Sequence, residues 1–328
     1  MGRHGRPSRN GKEIVVSEGL PPRAVVISNC QAQPLKHTLS LLCKGLLFEN
    51  LSVHLLGPDR EREIAEFVSR ARAQYDIIVS VGLSDDWGPL AVDRIRETFA
   101  GKAVTLISNL YYTGLHPDIV YIGGMSQRLP GPLGDYHSRV ALTGFLRGYP
   151  VEAIRQMYTA SIYERLGFFQ AHARSIAELG SREEQHDVAA VPLIEAMVRD
   201  RPLFMSVNHP TSHLIWAYGQ KIAAYLADRH GVQLSHWAGG PDQMVNHLGN
   251  ASVFPVYPEI GAYLGVTYPT SYSFKPDTFH DTPVMPLDLN EFIEAEMAAF
   301  RSIPFEELSR SHQGIEILEH QAHLDLSL

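Results

Sequence analysis

Three times in its first third the chain pairs a short aliphatic run with a stretch whose apolar residues recur at helical spacing, and a fourth run follows. Ala24-Val25-Val26-Ile27 is followed, from Gln33-Pro34 on, by Leu35, Leu39, Leu42 and Leu46. Residues 51–56 precede residues 60–73, with Ile64, Phe67 and Val68 on one face. Residues 75–81 precede residues 90–99, with Leu90, Ile95 and Phe99 apolar, and residues 102–108 form a fourth run. Apolar runs of this length read as buried strands and the 3.6-residue stripes as helices. Repeated β-α units with short connections give a parallel sheet covered by helices on both faces. With 328 residues, 45% hydrophobic and 20% charged, the chain has enough apolar material for a substantial core. The expected class is α/β: a parallel-sheet α/β/α core with a helical insertion and a loop-rich C-terminal part.

Ligands of such sheets bind beyond the carboxyl ends of the strands, near the point where strand order reverses. Cys30 falls there, in Ser28-Asn29-Cys30-Gln31, where the first strand hands over to a helix. Unpaired N–H groups and the positive end of the helix dipole favour an anion and lower a thiol's pKa, so Cys30 is a candidate nucleophile. Cysteine is also common packing material, and Cys43, within a leucine-rich helical stretch, is read as core. The same edge should gather the 82–86 loop and Ser108-Asn109-Leu110-Tyr111-Tyr112. Next come His116-Pro117-Asp118, an imidazole and a carboxylate two residues apart that also suit an ordinary turn.

Residues 123–134 are dense in glycine and proline, and loops of this length are often functional. Arg128 and Arg139 flank this loop and could clamp a phosphate or remain solvated. No G-x-G-x-x-G opens a helix after the first strand and no P-loop motif exists, which disfavours the usual dinucleotide and P-loop sites. Residues 150–199 read as a helical insertion (about 148–200) packed through Ile154, Met157, Tyr158, Ile162, Tyr163, Leu166 and Phe169, and Arg182-Glu183-Glu184 read as a wet face. Residues 202–207 read as a strand ending in Asn208-His209-Pro210-Thr211-Ser212-His213 before a helix over 214–227. His209 is a general-base candidate there, or a structural histidine in a capping turn. His209 and His213 have i, i+4 spacing, but Pro210 opposes a helical turn between them, and no metal is expected.

A formal charge of −8 argues against general nucleic-acid binding, and two cysteines make no disulfide framework; a thiol kept reduced points to the cytoplasm. No apolar run approaches the roughly 20 residues needed to span a bilayer. Residues 1–22 read as a disordered basic arm, 23–300 as one α/β domain and 301–328 as a C-terminal tail, polar from Gly314 on. The aromatic-proline stretches 254–259 and 267–272 could floor a sugar site or simply cover the sheet, and His280-Asp281 is a further imidazole-carboxylate pair.

Three blocks in order, Ser28-Asn29-Cys30-Gln31, Ser108 to Asp118 and Leu203 to Thr211, resemble the WcbI family of polysaccharide biosynthesis proteins, with the likeness spanning residues 23–227 and weakening towards 288. The resemblance implies a capsular polysaccharide O-acetyltransferase using acetyl-coenzyme A, with a cysteine at the active centre, and Cys30 takes that place. In such chemistry a base removes a hydroxyl proton, donors hold an oxyanion, and a thiol can accept the acetyl group first. On this reading His209 or His116 is the base, Asp118 orients an imidazole and Gln31 helps form the oxyanion hole. Gln31, Asn109, Arg128 and Arg139 contact the coenzyme, and a sugar or polysaccharide is the acceptor. Competing classes are a thiol-containing SGNH-like esterase and a non-catalytic sugar-binding subunit; homo-oligomerisation stays open.

Overall fold

In the computed structural model, which describes residues 21–124, 127–278, 285–324 and 326, four strands form one parallel sheet. They are β1 (Arg23–Ser28), β2 (Leu47–Ser52), β3 (Ile77–Val81) and β4 (Ala103–Ile107), in the order β2-β1-β3-β4. The register is continuous: Arg23 to Ser28 lie opposite Leu47 to Ser52, Ala24 to Ile27 opposite Ile77 to Ser80, and Ile77 to Val81 opposite Ala103 to Ile107. Strand order reverses between β1 and β3, so the turn after β1 opens at the switch point. The central strands are buried on both faces, which is why they read as unbroken aliphatic runs. The α/β expectation holds.

By its internal contacts the chain divides into two units. One takes residues up to Asn109, Arg182–Leu193 and Ser212–Val245; the other takes Leu110–Ser181, Ile194–Thr211 and Asn246–Leu328. The first holds the sheet, with helices α1 (Ala32–Leu42), α2 (Arg60–Gln74) and α3 (Ser212–His230). Helices α1 and α3 cross at Gly219, where an added methyl would stand 2.4 Å from Thr38 Cγ2; only a bare backbone permits that approach. The far edge of β4 is extended by a later segment, since Asp187 and Val188 N–H groups both donate to the Leu106 carbonyl.

Three expected elements of this unit shift. The second strand spans Leu47–Ser52 rather than 51–56, because Gly45 turns the chain with φ +70 and the pairing with β1 ends at Ser52; Val53–Leu55 is a single 3-10 turn. The helix expected over 90–99 shrinks to Ile95–Thr98, because Gly88, with φ +53, and Pro89 break the segment before it. Cys43, expected on a helix, caps α1 and starts a two-residue strand paired with Gln233–Leu234; it is buried, as expected of a core cysteine.

The second unit is mostly short helices: Arg139–Leu146, Val151–Gln156, Ala160–Arg165, Pro258–Leu264 and Leu289–Arg301. Gly148 and Gly167, at φ +71 and +73, divide what the apolar spacing presents as a long helical run. The stretch 202–207 is not a strand but one arm of a tight hairpin, with a bridge between Phe204 and Pro210 and bonds from Met205 N–H to His209 O and Thr211 N–H to Leu203 O. Phe254 and Tyr257 do not floor a sugar site: both are buried among Phe274, Phe292 and Tyr158. Within residues 301–324, Leu308 and Ile317 are fully buried and the Arg147 guanidinium donates to the carbonyls of Gln321 and Leu324. The basic arm before residue 21 and the His280-Asp281 pair lie outside the described residues.

Candidate active site

The turn after β1 is built by Asn29. Its Oδ1 accepts the Gln31 N–H (3.1 Å) and its carbonyl accepts the Ala32 N–H (3.0 Å), which brings the chain directly from strand to helix. Its Nδ2 donates to Asn109 Oδ1 (3.1 Å), joining the turns that follow β1 and β4. Asn109 therefore belongs to the carboxyl edge of the sheet, as its position after the fourth strand implies. Gln31 is fully buried at the N-cap of α1. Cys30 stands between them, partly accessible and in no disulfide. Its thiol departs from the expectation of a lowered pKa: burial pushes it up to about 11 and its own backbone N–H offsets only part of that. The helix end favours a thiolate, but desolvation of the sulfur outweighs it. Cys30 is thus a thiol at neutral pH and needs a proton acceptor to become a nucleophile.

The same edge carries groups that the local sequence does not advertise. Glu183 is no wet face: it accepts from Ser108 Oγ (2.5 Å) and from the N–H groups of Ala190 and Val191. The His186 ring lies against Gly82, one residue past β3; a methyl on Gly82 would meet His186 Nε2 at 2.5 Å. Desolvation lowers the His186 pKa and keeps that ring neutral. The only local signal is the glycine after an apolar strand, which can mark a close approach of another group.

In the second unit the two candidate histidines have different surroundings. His116 is buried, its Nε2 sits 3.1 Å from the Phe204 carbonyl, and desolvation pushes its pKa down to about 4. A sealed neutral imidazole held on a carbonyl has the setting of a packing element. Asp118 does not orient an imidazole through its bonded oxygens: Oδ1 accepts from Val140 N–H (2.8 Å) and Oδ2 from Tyr257 OH (2.7 Å). It caps helix Arg139–Leu146 with a carboxyl whose pKa burial raises. His209 is only half-buried, at the closing arm of the hairpin, with its Nε2 3.5 Å from Tyr136 OH. Around that phenol stand Asn208 Oδ1 at 2.7 Å and Ser206 Oγ at 3.0 Å.

The two arginines have separate settings. Arg128 stacks over the Tyr121 ring, 3.8 Å from its centroid, with Asp135 Oδ2 3.8 Å from its guanidinium. Arg139 opens its helix; burial lowers its pKa, and its Nε has no hydrogen-bond partner among the described residues. Among those residues no group of three or more His, Cys, Asp or Glu side chains could hold a metal ion, and no helix is long and apolar enough to cross a membrane.

The profile of the family described as polysaccharide biosynthesis enzyme WcbI matches residues 23–232. Among solved structures, one of WcbI, described as a novel polysaccharide biosynthesis enzyme in its native form without a disulfide bond between coenzyme A and one of its cysteines, superposes with a TM-score of 0.70. The two share 14% identity over 92% of this chain and 96% of that one, a likeness of fold. No curated protein matches the sequence significantly.

Proposed function

Since the chain belongs to the WcbI family of polysaccharide biosynthesis enzymes, we propose that it transfers an acetyl group from acetyl-coenzyme A to a hydroxyl of a sugar in a capsular or other surface polysaccharide. The observation that carries this reading is the position of Cys30 in the turn between β1 and α1, at the switch point of a parallel sheet. The coenzyme and a cysteine named together for WcbI support assigning Cys30 to the coenzyme's reactive end. Within the second unit, the orphaned Nε of Arg139 suits an anionic oxygen.

In the proposed chemistry Cys30 Sγ attacks the acetyl carbonyl, forming a new S–C bond while the thioester's own C–S bond breaks; the Cys30 proton leaves with the departing sulfur. The sugar oxygen then attacks the acetylated Cys30, its proton passes to a general base, and the Cys30 thiolate is expelled and takes a proton back. The Gln31 region supplies N–H groups for the oxyanion of each step. A thiol whose pKa lies near 11 makes proton removal part of the barrier, so the reaction requires a base.

Two measurements test the proposal. Coenzyme A should raise the melting temperature, by an amount equivalent to about 2.7 kcal/mol at a hundredfold excess over its dissociation constant. Acetyl transfer from acetyl-coenzyme A to a polysaccharide acceptor should be lost in Cys30→Ala. Thioester hydrolysis that needs no sugar would instead mark a thiol esterase, and no thermal shift with coenzyme would mark a non-catalytic sugar-binding subunit.

A further inference from the structure

The segment that carries His186 is pinned to the outer margin of β4 on both sides of the ring. Glu183 accepts from Ser108 Oγ, and Asp187 donates its N–H to the Leu106 carbonyl while its Oδ2 accepts the Leu106 N–H at 2.7 Å. From there the imidazole reaches past the end of β4 to Gly82. A Cβ built on Gly82 would lie 2.5 Å from Nε2 and 3.4 and 3.5 Å from Cε1 and Cδ2, so the ring aims Nε2 end-on into the space this glycine leaves open. β1 and β3 run side by side with Ile27 opposite Ser80, a register that sets Gly82 next to Asn29, about 4.8 Å away across the ladder and one residue before Cys30.

His186 Nδ1 is buried with no hydrogen-bond partner among the described residues. A sealed nitrogen without a partner holds a lone pair at less cost than a proton, because an unmet N–H is the rarer defect in folded chains. In the neutral ring the one proton is therefore on Nε2. The charged groups around the ring are Glu183, Asp187 and Arg182, and none of them bonds to Nδ1.

We propose that His186 is a further catalytic residue, which donates its Nε2–H to the carbonyl oxygen of the acetyl group carried on Cys30. The inference rests on the reading of Cys30 as the acetyl acceptor. As the sugar oxygen attacks, negative charge gathers on that carbonyl oxygen and the hydrogen bond from Nε2 strengthens; the proton stays on Nε2, and the charge returns to the carbonyl when the C–S bond breaks. A neutral imidazole can hold such a charge without giving up its proton. Gly82 belongs to the same arrangement, since any side chain there would block the donor.

Two measurements on the full chain test this role. In a nitrogen-labelled histidine NMR spectrum at neutral pH, with the His186 signal assigned by its loss in His186→Gln, Nε2 should carry the proton and Nδ1 the lone pair. The opposite tautomer, or an imidazolium, overturns the inference. In kinetics, His186→Ala should lower kcat about a hundred- to a thousandfold while KM for acetyl-coenzyme A holds, and His186→Gln, whose amide restores an N–H donor, should recover at least about tenfold of it. A base would not be replaced by glutamine, so an unrescued loss overturns the donor role, as does near-normal turnover in His186→Ala. Should the alanine variant fail to fold, Gly82→Ala, which fills the space before Nε2, should lower kcat in the same direction, and full activity there overturns the inference. A wild-type enzyme that loads no acetyl on Cys30 sinks the proposed function and this role with it, whereas a wild type that turns over beside an unaffected His186→Ala counts against His186 alone.

Discussion

The carboxyl edge of the sheet and the interior of the helical unit both concentrate polar side chains, but they hold them differently. At the edge, Asn29, Asn109 and Glu183 bond to turns and helix ends, and Cys30 is left partly accessible among them. In the helical unit, His137 and Glu296 are fully buried and directly paired at 2.7 Å, and His137 Nε2 also faces the Leu129 carbonyl at 2.8 Å. Burial works to lower the His137 pKa, yet the Glu296 carboxylate outweighs it and holds the imidazole above its ordinary range. His116 and Asp118 are equally sealed. A histidine beside a carboxylate is thus no mark of catalysis in this protein. The pair that looks most like an acid-base couple is sealed from solvent, whereas the residue proposed for chemistry is a partly accessible thiol in a turn.

The largest effect that would break this comparison is at Cys30. Cys30→Ala should reduce acetyl transfer by at least about a thousandfold, the scale of losing a nucleophile, with circular dichroism and melting unchanged. Near-normal turnover would exclude covalent catalysis by the thiol. Glu296→Ala should leave turnover chemistry intact in whatever fraction folds but destabilise by about 3 kcal/mol in urea unfolding, because it leaves the buried His137 ring and the Ser138 N–H without their partner. The double substitution His137→Phe with Glu296→Leu should restore most of that loss; a double variant as unstable as the single one would show that packing, not charge, is the issue.

The sealed histidine sharpens the contrast through pH. The folded pKa of His116, about 4, lies below the unfolded value near 6.5, so the unfolded chain binds more protons between them. Its contribution is complete above pH 6.5 and is lost progressively as the pH falls to about 4, amounting to about 3 kcal/mol. His116→Gln should flatten the fall of unfolding free energy across that window, and an equally steep profile in the variant would rule out His116 as its source. The smallest effect lies at the edge. Gly82→Ala should cost about 1 kcal/mol, since the intruding methyl displaces a side chain rather than backbone, and His186→Ala should relieve most of it in a double-mutant cycle.

What could be read from the sequence followed the range over which each element is determined. β1, β3 and β4 were legible because a strand buried on both faces needs an aliphatic run and little else. β2 was misplaced by four residues because an edge strand, exposed at Leu47, Glu49 and Asn50, has no such run, and its register comes from pairing with β1. Cys30 and Asn109 were legible because a strand's end locates its turn. Glu183 and His186 were not, since they approach Ser108 and Gly82 from about a hundred residues or fewer along the chain with no local pattern to announce it. The misleading signal was His116-Pro117-Asp118, where adjacency in sequence suggested partnership and the fold sends each side chain to a different neighbour.

The completion of β4 by Asp187 and Val188 sets a schedule for the nascent chain. When residue 109 leaves the ribosome all four strands exist, yet the β4 margin has unpaired backbone groups and the face that α3 will cover is still bare. Some eighty to a hundred and twenty further residues must be translated before both are closed, seconds at ordinary elongation rates. During that interval the half-built sheet is a sticky template, and a chaperone that shields the β4 margin should raise the yield of native protein more than one acting after release.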